Sequence, residues 1–488
     1  GSLILKSQHE VCGNEQTVSV SVFRPSGVSC TYRDENGINQ SAIIKRLPLH
    51  INANLTLQSG TLDLEGQTIV IDGDFIQQGG LVSINNGSLL VKGDYRIQTP
   101  AEEKGKYTHS SGQLSMLNDS DYVLVHGDFY MDGRGNRVNY YGRVSNVSLL
   151  TAGMLELKGN FTQESTDTYD SNFSVYNFQT SGTHRVILSG DTQQTINFED
   201  KNSSIFNELE ILNNIDNGVL WETDYNANKL IAIDIKLTPL TISHKSFTLY
   251  DDFTIAGDLT ISGAVNLNGH SLTVEGDLIH TSGDLSINEG TLIIQGDYRI
   301  QTPTEVENEY TFSLGRLVMT KDSDYVLVRG DFYTDGRGNG VYKSGSVSNV
   351  SLLTAGILEL QGNFTQESND TSNSSYSAYN FQTSGTHRVL LSGDVLQQIK
   401  FTDQLSSLFN ELEILNDREN GVVWLSDYNA TKLIASGIKL SSMIISRKKF
   451  TLYDDFTIAG DLTISGAVNL NGHSLTVEGD LIHSSGYL

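Results

Sequence analysis

The run Thr61-Leu62-Asp63-Leu64-Glu65-Gly66-Gln67-Thr68-Ile69-Val70-Ile71-Asp72-Gly73-Asp74-Phe75 decides the fold. Its apolar residues alternate with polar ones in two short bursts on either side of Gly66, and period-two alternation is the mark of a strand with one buried face. Its closing phrase of glycine, acid and aromatic keeps returning, as Gly93-Asp94-Tyr95, Gly127-Asp128-Phe129, Gly159-Asn160-Phe161 and Gly190-Asp191, then from Gly257-Asp258 onward. The steps from Gly73 through Gly276 are 20, 34, 32, 31, 67 and 19 residues, 203 in all. Gly296, Gly330, Gly362, Gly393, Gly460 and Gly479 then repeat the series. Short repeats nested in a longer one are the signature of a solenoid.

Aligned on the glycine, Leu62, Leu64, Ile69 and Ile71 fall opposite Val82, Ile84, Leu89 and Val91, and opposite Val265, Leu267, Leu272 and Val274 in the second copy. One coil of about 20 residues cannot bury such a row alone, but parallel coils stacked about 4.8 Å apart form ladders of Ile, Leu and Val that fill an interior. The prediction is an all-β parallel β-solenoid, or β-helix, with a 203-residue tandem superrepeat. Right-handed coiling is expected from the handedness of parallel crossovers. Phe75, Tyr95, Phe129 and Phe161 are expected to stack as an aromatic ladder. The marker glycine is read as a corner residue with positive φ, and the Asp or Asn after it as an acceptor of backbone N–H groups in an Asx-type turn.

Residues 1–50 lie outside the repeat and are expected to cap the solenoid edge, a small separate domain or linker being the alternative. Residues 17–23 alternate as a strand. Cys12 and Cys30 both lie in this segment, as a disulfide in an oxidising compartment or as buried thiols. Residues 51–253 form the first superrepeat, 254–456 the second, and 457–488 begin a third, as expected of an excerpt from a longer array. Residues 247–280 recur identically as 450–483, whereas 101–117 differ heavily from 304–320. Polar insertions at 99–116, 132–143 and 164–175 should leave the coils as loops, because a buried loop would strand its backbone polar groups. The 67-residue step from Gly190 to Gly257 still alternates at Leu209–Leu212 and Lys229–Ile233, which reads as unmarked coils.

Forty-six Gly, five Pro and only 18% charged residues suit short strands and turns. A net charge of −26 repels phosphate backbones and anionic lipid, so no nucleic-acid partner is expected. No run of about 18 apolar residues is present to span a bilayer.

The richest acidic pattern is Asp121, Asp128 and Asp132, echoed by Asp324, Asp331 and Asp335. Hard cations take several oxygens from a turn-forming loop, so these six are candidate calcium ligands, with plain surface turns as the alternative and no other cofactor indicated. Arg329-Gly330-Asp331 spells an integrin-type tripeptide, though the repeating corner generates it. His184, His387 and the pair Asp251-Asp252 carry groups used in catalysis, but nothing in their spacing brings them together. Trp221 and Trp424 suit either stacking on a sugar or packing at an edge. Asn54, Asn146 and Asn349 open glycosylation triplets of a kind that arises by chance in such a composition.

The phrase Ser181-Gly182-Thr183-His184-Arg185-Val186-Ile187-Leu188-Ser189-Gly190, with Phe206-Asn207-Glu208-Leu209-Glu210-Ile211, resembles repeats of very large bacterial surface proteins. The coil pattern over about residues 51–488 resembles filamentous-haemagglutinin-like β-solenoids. That resemblance implies an exported, rod-shaped adhesin, stalk or toxin-presenting stick on a bacterial surface. It would be non-enzymatic, with a cell-surface protein or glycan receptor met through the insertion loops and end-to-end self-association at an exposed coil. The alternative is a glycan-binding or glycan-cleaving β-helix.

Overall fold

The computed structural model describes residues 49–134, 149–167, 176–200, 203–243, 246–336, 352–370, 379–403, 407–446 and 449–487, and before them the backbone of five short strands. Every regular element among these residues is a strand. The chain divides into two units, Gly1–Thr238 and Pro239–Leu488.

In the first unit each coil contributes strands to three parallel walls. The first wall holds eight strands, from Leu49–Ile51 through Thr68–Ile71, Ser88–Val91 and Tyr122–Val125 to Ala227–Ile231. The second holds seven, among them Phe75–Gln77, Tyr95–Ile97, Phe129–Met131 and Phe161–Gln163. The third is short, with Thr61–Asp63, Leu81–Ser83 and Gln113–Ser115 continued by single bridges such as Met116 to Leu150. The second unit repeats the plan, its first wall running from Phe253–Ile255 to Ala430–Ile434, its second from Leu240–Ile242 to Val422–Trp424. New stacks then begin at Lys439–Leu440, Met443–Ile445 and Phe450–Thr451.

The register follows the glycine alignment: Ile69 pairs with Leu89, Leu89 with Val123, Val123 with Leu155 and Leu155 with Val186. These side chains are fully buried, as are Ile71, Val91, Val125 and Leu157 two residues on. Stacked β-branched and Leu side chains of one column thus exclude water from a core no single coil closes. The aromatic ladder is present, with ring centroids 4.7 Å apart from Phe75 to Tyr95, 5.4 Å from Tyr95 to Phe129 and 5.9 Å from Phe129 to Phe161. The step from Gly190 to Gly257 includes the first-wall strands Phe206–Ile211 and Ala227–Ile231, the unmarked coils the alternation indicated.

The marker glycines do a different job from the one the sequence suggested. None of Gly73, Gly93, Gly127 and Gly159 has positive φ; the left-handed residues lie at other corners, such as Glu65 at 44° and Asn86 at 62°. What excludes a side chain is the coil below. A Cβ on Gly127 would come within 2.5 Å of Asp94 Oδ1 and 2.6 Å of the Gly93 carbonyl carbon. The acid fills that space because its Oδ1 accepts the backbone N–H of its counterpart one coil on: Asp74 from Asp94 at 3.0 Å, Asp94 from Asp128 at 2.9 Å, Asp128 from Asn160 at 2.8 Å and Asn160 from Thr195 at 2.7 Å. The bond is therefore between coils rather than within a local Asx turn. It also compensates the stacking of like charges.

Before residue 49, Val22–Phe23 pairs in parallel with Thr61–Asp63 and so extends the third wall, while Leu3–Leu5 pairs antiparallel with Gln16–Val18 and Ser29–Arg33 with Asn39–Ile43. Residues 19–21, Cys12 and the Cys30 side chain lie outside the described residues.

Candidate binding edge

All three insertions of the first copy leave from one corner, where the second wall turns toward the third, in successive coils: after Tyr95–Ile97, Phe129–Met131 and Phe161–Gln163. The first is a hairpin in which Thr99–Pro100 pairs antiparallel with Tyr107–Thr108. Of the other two, residues 135–148 and 168–175 lie outside the described residues.

The hairpin is fastened to the wall by Arg96. Its guanidinium lies 4.6 Å from the ring centre of Tyr107 on the hairpin and 3.6 Å from that of Tyr130 on the next coil, and pairs with Asp94 at 2.8 Å. A planar cation between two aromatic faces is held by their quadrupoles while its N–H groups stay available to the carboxylate. At the far end of the insertion, Ser110 Oγ donates to the Gln77 carbonyl at 2.7 Å and accepts from Gly112 N–H at 2.8 Å. The second copy repeats the clamp: Arg299 lies 4.6 Å from Tyr310 and 3.7 Å from Tyr333, with Asp297 at 2.8 Å.

Carboxylates line the base of the loops. Glu164 accepts Gln98 Nε2 at 2.7 Å, Glu199 accepts Ser165 N–H at 2.6 Å, and Asp132 accepts the backbone N–H and hydroxyl of Thr166. Burial raises the pKa of Glu164, and the charges of Asp132 and Glu199 raise it further. Burial likewise raises Asp132, against the hydrogen bonds from Thr166 and the nearby His109. In the second copy Thr402 stands where Glu199 does, Lys400 approaches Glu367 at 3.9 Å, and Asn369 bonds Asp335. One scaffold thus carries two different edges.

The structure does not gather the six aspartates named as calcium candidates. Asp121 stands before a first-wall strand, Asp128 between the first and second walls and Asp132 after a second-wall strand, so the three occupy three different corners of one coil. Asp121 is buried and accepts N–H groups from Asn86, Leu117 and Asn118 at 2.6, 2.7 and 3.1 Å; Asp324 does the same with Glu289, Thr320 and Lys321. Asp128 and Asp331 belong to the corner ladder, where each also accepts a tyrosine hydroxyl, from Tyr130 and Tyr333. Asp132 and Asp335 are held by Thr166 and Asn369. Among the described residues no group of three or more His, Cys, Asp or Glu is arranged to hold a metal ion.

The Asp331 carboxylate of the integrin-type tripeptide is occupied by Asn363 and Tyr333. Trp221 and Trp424 are buried, packed 5.5 and 5.4 Å from Tyr225 and Tyr428, and offer no open face to a sugar. His184 and His387 are buried with neither ring nitrogen hydrogen-bonded. Asp252 receives the Ser271 N–H one coil on.

Sequence reasoning passed over Arg96, Tyr107, Tyr130, Glu164 and Glu199. For the clamp a signal existed: Arg96, Tyr107 and Tyr130 recur as Arg299, Tyr310 and Tyr333, although the sequence around Tyr107 changes heavily between copies. No family model matches the chain, and neither the curated proteins nor the solved structures contain a match. The fold alone defines its class, a parallel β-solenoid.

Proposed function

We propose that the chain is a non-enzymatic structural protein of a bacterial surface, a repetitive stalk whose coils hold a row of contact loops along one edge. The observation that carries this reading is the departure of three insertions from a single corner in consecutive coils, the first clamped at both ends. Loops on a rigid scaffold are where binding residues concentrate, and the first of these, residues 101–117, differs heavily from its counterpart 304–320. The likeness to filamentous-haemagglutinin-like repeats supports the same reading.

Exchanging residues 101–117 with 304–320 tests it. The exchange should alter adhesion to host-cell or glycan-coated surfaces and leave thermal stability almost unchanged. Unaltered adhesion to every such surface after all three loops are removed overturns it. Reach is the second half of the proposal. Eight first-wall strands from Phe253–Ile255 to Ala430–Ile434 represent one copy, which at about 4.8 Å per coil adds about 38 Å. Electron microscopy of proteins with one, two and three copies should find that increment.

A second reading, glycan binding or cleavage, is favoured by Glu164 and Asp132, two carboxylates raised by burial beside the tyrosine clamp. Glu164→Gln would abolish any glycan hydrolysis at this edge, and the wild-type protein's failure to cleave any polysaccharide in a broad panel rejects cleavage.

A further inference from the structure

The residue that receives the insertion hairpin differs between copies: Gln77 in the first, His280 at the equivalent place in the second. Gln77 Nε2 donates to the carbonyls of Gly80 at 3.1 Å and Gln113 at 3.0 Å, and its Oε1 accepts from Tyr95 at 2.8 Å. In the second copy His280 Nε2 lies 3.0 Å from the Gly283 carbonyl, so this nitrogen carries the proton, leaving Nδ1 to accept from the Tyr298 hydroxyl at 3.2 Å. Ser313, which ends the hairpin segment, donates to the His280 carbonyl at 2.7 Å. Gly315 covers the ring so closely that a Cβ there would meet it at 2.7 Å. The imidazole is fully buried, and part of its cover is Gly315 in the strand Leu314–Val318, which directly follows the hairpin segment and pairs with Ser282–Ser286.

A neutral imidazole satisfies both neighbours; an imidazolium keeps both bonds once the Tyr298 hydroxyl turns to accept, but places a charge in an enclosed space. Asp284 nearby favours the charged ring but does not outweigh its burial. Asp284 is already held by Arg316 through two bonds of 2.6 and 2.9 Å, and Tyr298 is itself buried. We propose that His280 is a proton-operated latch, which releases the hairpin of the second copy in acid while Gln77 keeps that of the first closed. The latch would regulate the contact edge, and in that sense it rests on the reading given above.

Burial lowers the ring's pKa to about 4, with Asp284 and the Gly283 carbonyl acting the other way. Once released, the ring returns to about 6.5. The closed state is therefore fully favoured above about pH 6.5 and loses up to about tenfold per pH unit below it, ending near 4.

The test is hydrogen exchange on the full chain without ligand, read as protection factors corrected for intrinsic rates, so a failed latch leaves the adhesive reading untouched. Between pH 7 and pH 5, protection of residues 302–315 should fall by up to about 30-fold and that of 99–112 should hold. His280→Gln should abolish the fall, and Gln77→His should install it in the first copy, the control if the first variant misfolds. His184 and His387 occur in both copies and cannot produce the difference. Equal loss of protection in both hairpins, or a fall that persists in His280→Gln, overturns the proposal.

Discussion

At the scale of the residue, the corners are governed by what fits beneath them. Gly127→Ala places a methyl against the Asp94 carboxylate and the Gly93 backbone, neither of which can yield without breaking the ladder. The expected cost is about 2–4 kcal/mol, read as lost hydrogen-exchange protection over residues 88–130. Gly105→Ala is the comparison: nothing lies within 4 Å, only its φ of +84° opposes a side chain, and about 1 kcal/mol or less is expected. The buried histidines give a pH dependence. Burial lowers His184 and His387 to about 3, so between there and about 6.5 the unfolded chain binds protons that the folded one refuses. The proton-linked cost of their burial is absent above about pH 6.5, and stability falls below it by up to about 1.4 kcal/mol per pH unit for each ring. His184→Leu with His387→Leu removes that slope and two pairs of unbonded ring nitrogens. The acid-denaturation midpoint should move to lower pH, and an unmoved midpoint contradicts the account.

At the scale of the element, the hairpin depends on its arginine. Arg96→Ala forfeits two cation–π contacts, worth about 1–2 kcal/mol between them, and should speed tryptic cleavage at Lys104 and Lys106 about 5- to 30-fold while the coils stay resistant. Unchanged cleavage would mean that Tyr107 and the strand pairing suffice. Such contacts mark the boundary of what the sequence discloses. The alternation around Ile69 and Ile71 disclosed strands, the glycine steps disclosed register, and the polar run after Ile97 disclosed an insertion, because each is a pattern along the chain. The clamp is not, since Arg96, Tyr107 and Tyr130 meet only once coils are stacked. For the same reason the corner glycine was misread: its obstruction comes from a residue 34 positions earlier, Gly93, and no local rule reports that. The calcium candidates failed to converge because a coil spreads neighbours in sequence over three corners.

At the scale of the whole molecule, copy number is adjustable without a scar. Because residues 247–280 recur as 450–483, deleting 248–450 joins Phe247 to Thr451 and recreates the wild-type sequence on both sides. That protein should fold with the same per-residue stability and one copy fewer, since each coil contacts mainly its neighbours, whereas a deletion of comparable size out of phase should not fold. Circular dichroism and denaturation of the two deletions decide it. The corner ladder also carries a direction. In every rung from Asp74 to Thr195 the oxygen belongs to the earlier coil and the N–H to the later one. A finished coil consequently offers a fixed oxygen to whatever portion of chain arrives next, as a course of masonry offers its upper surface. A chain that arrives amino end first can therefore be laid down in order of arrival, each turn templated by the one before it.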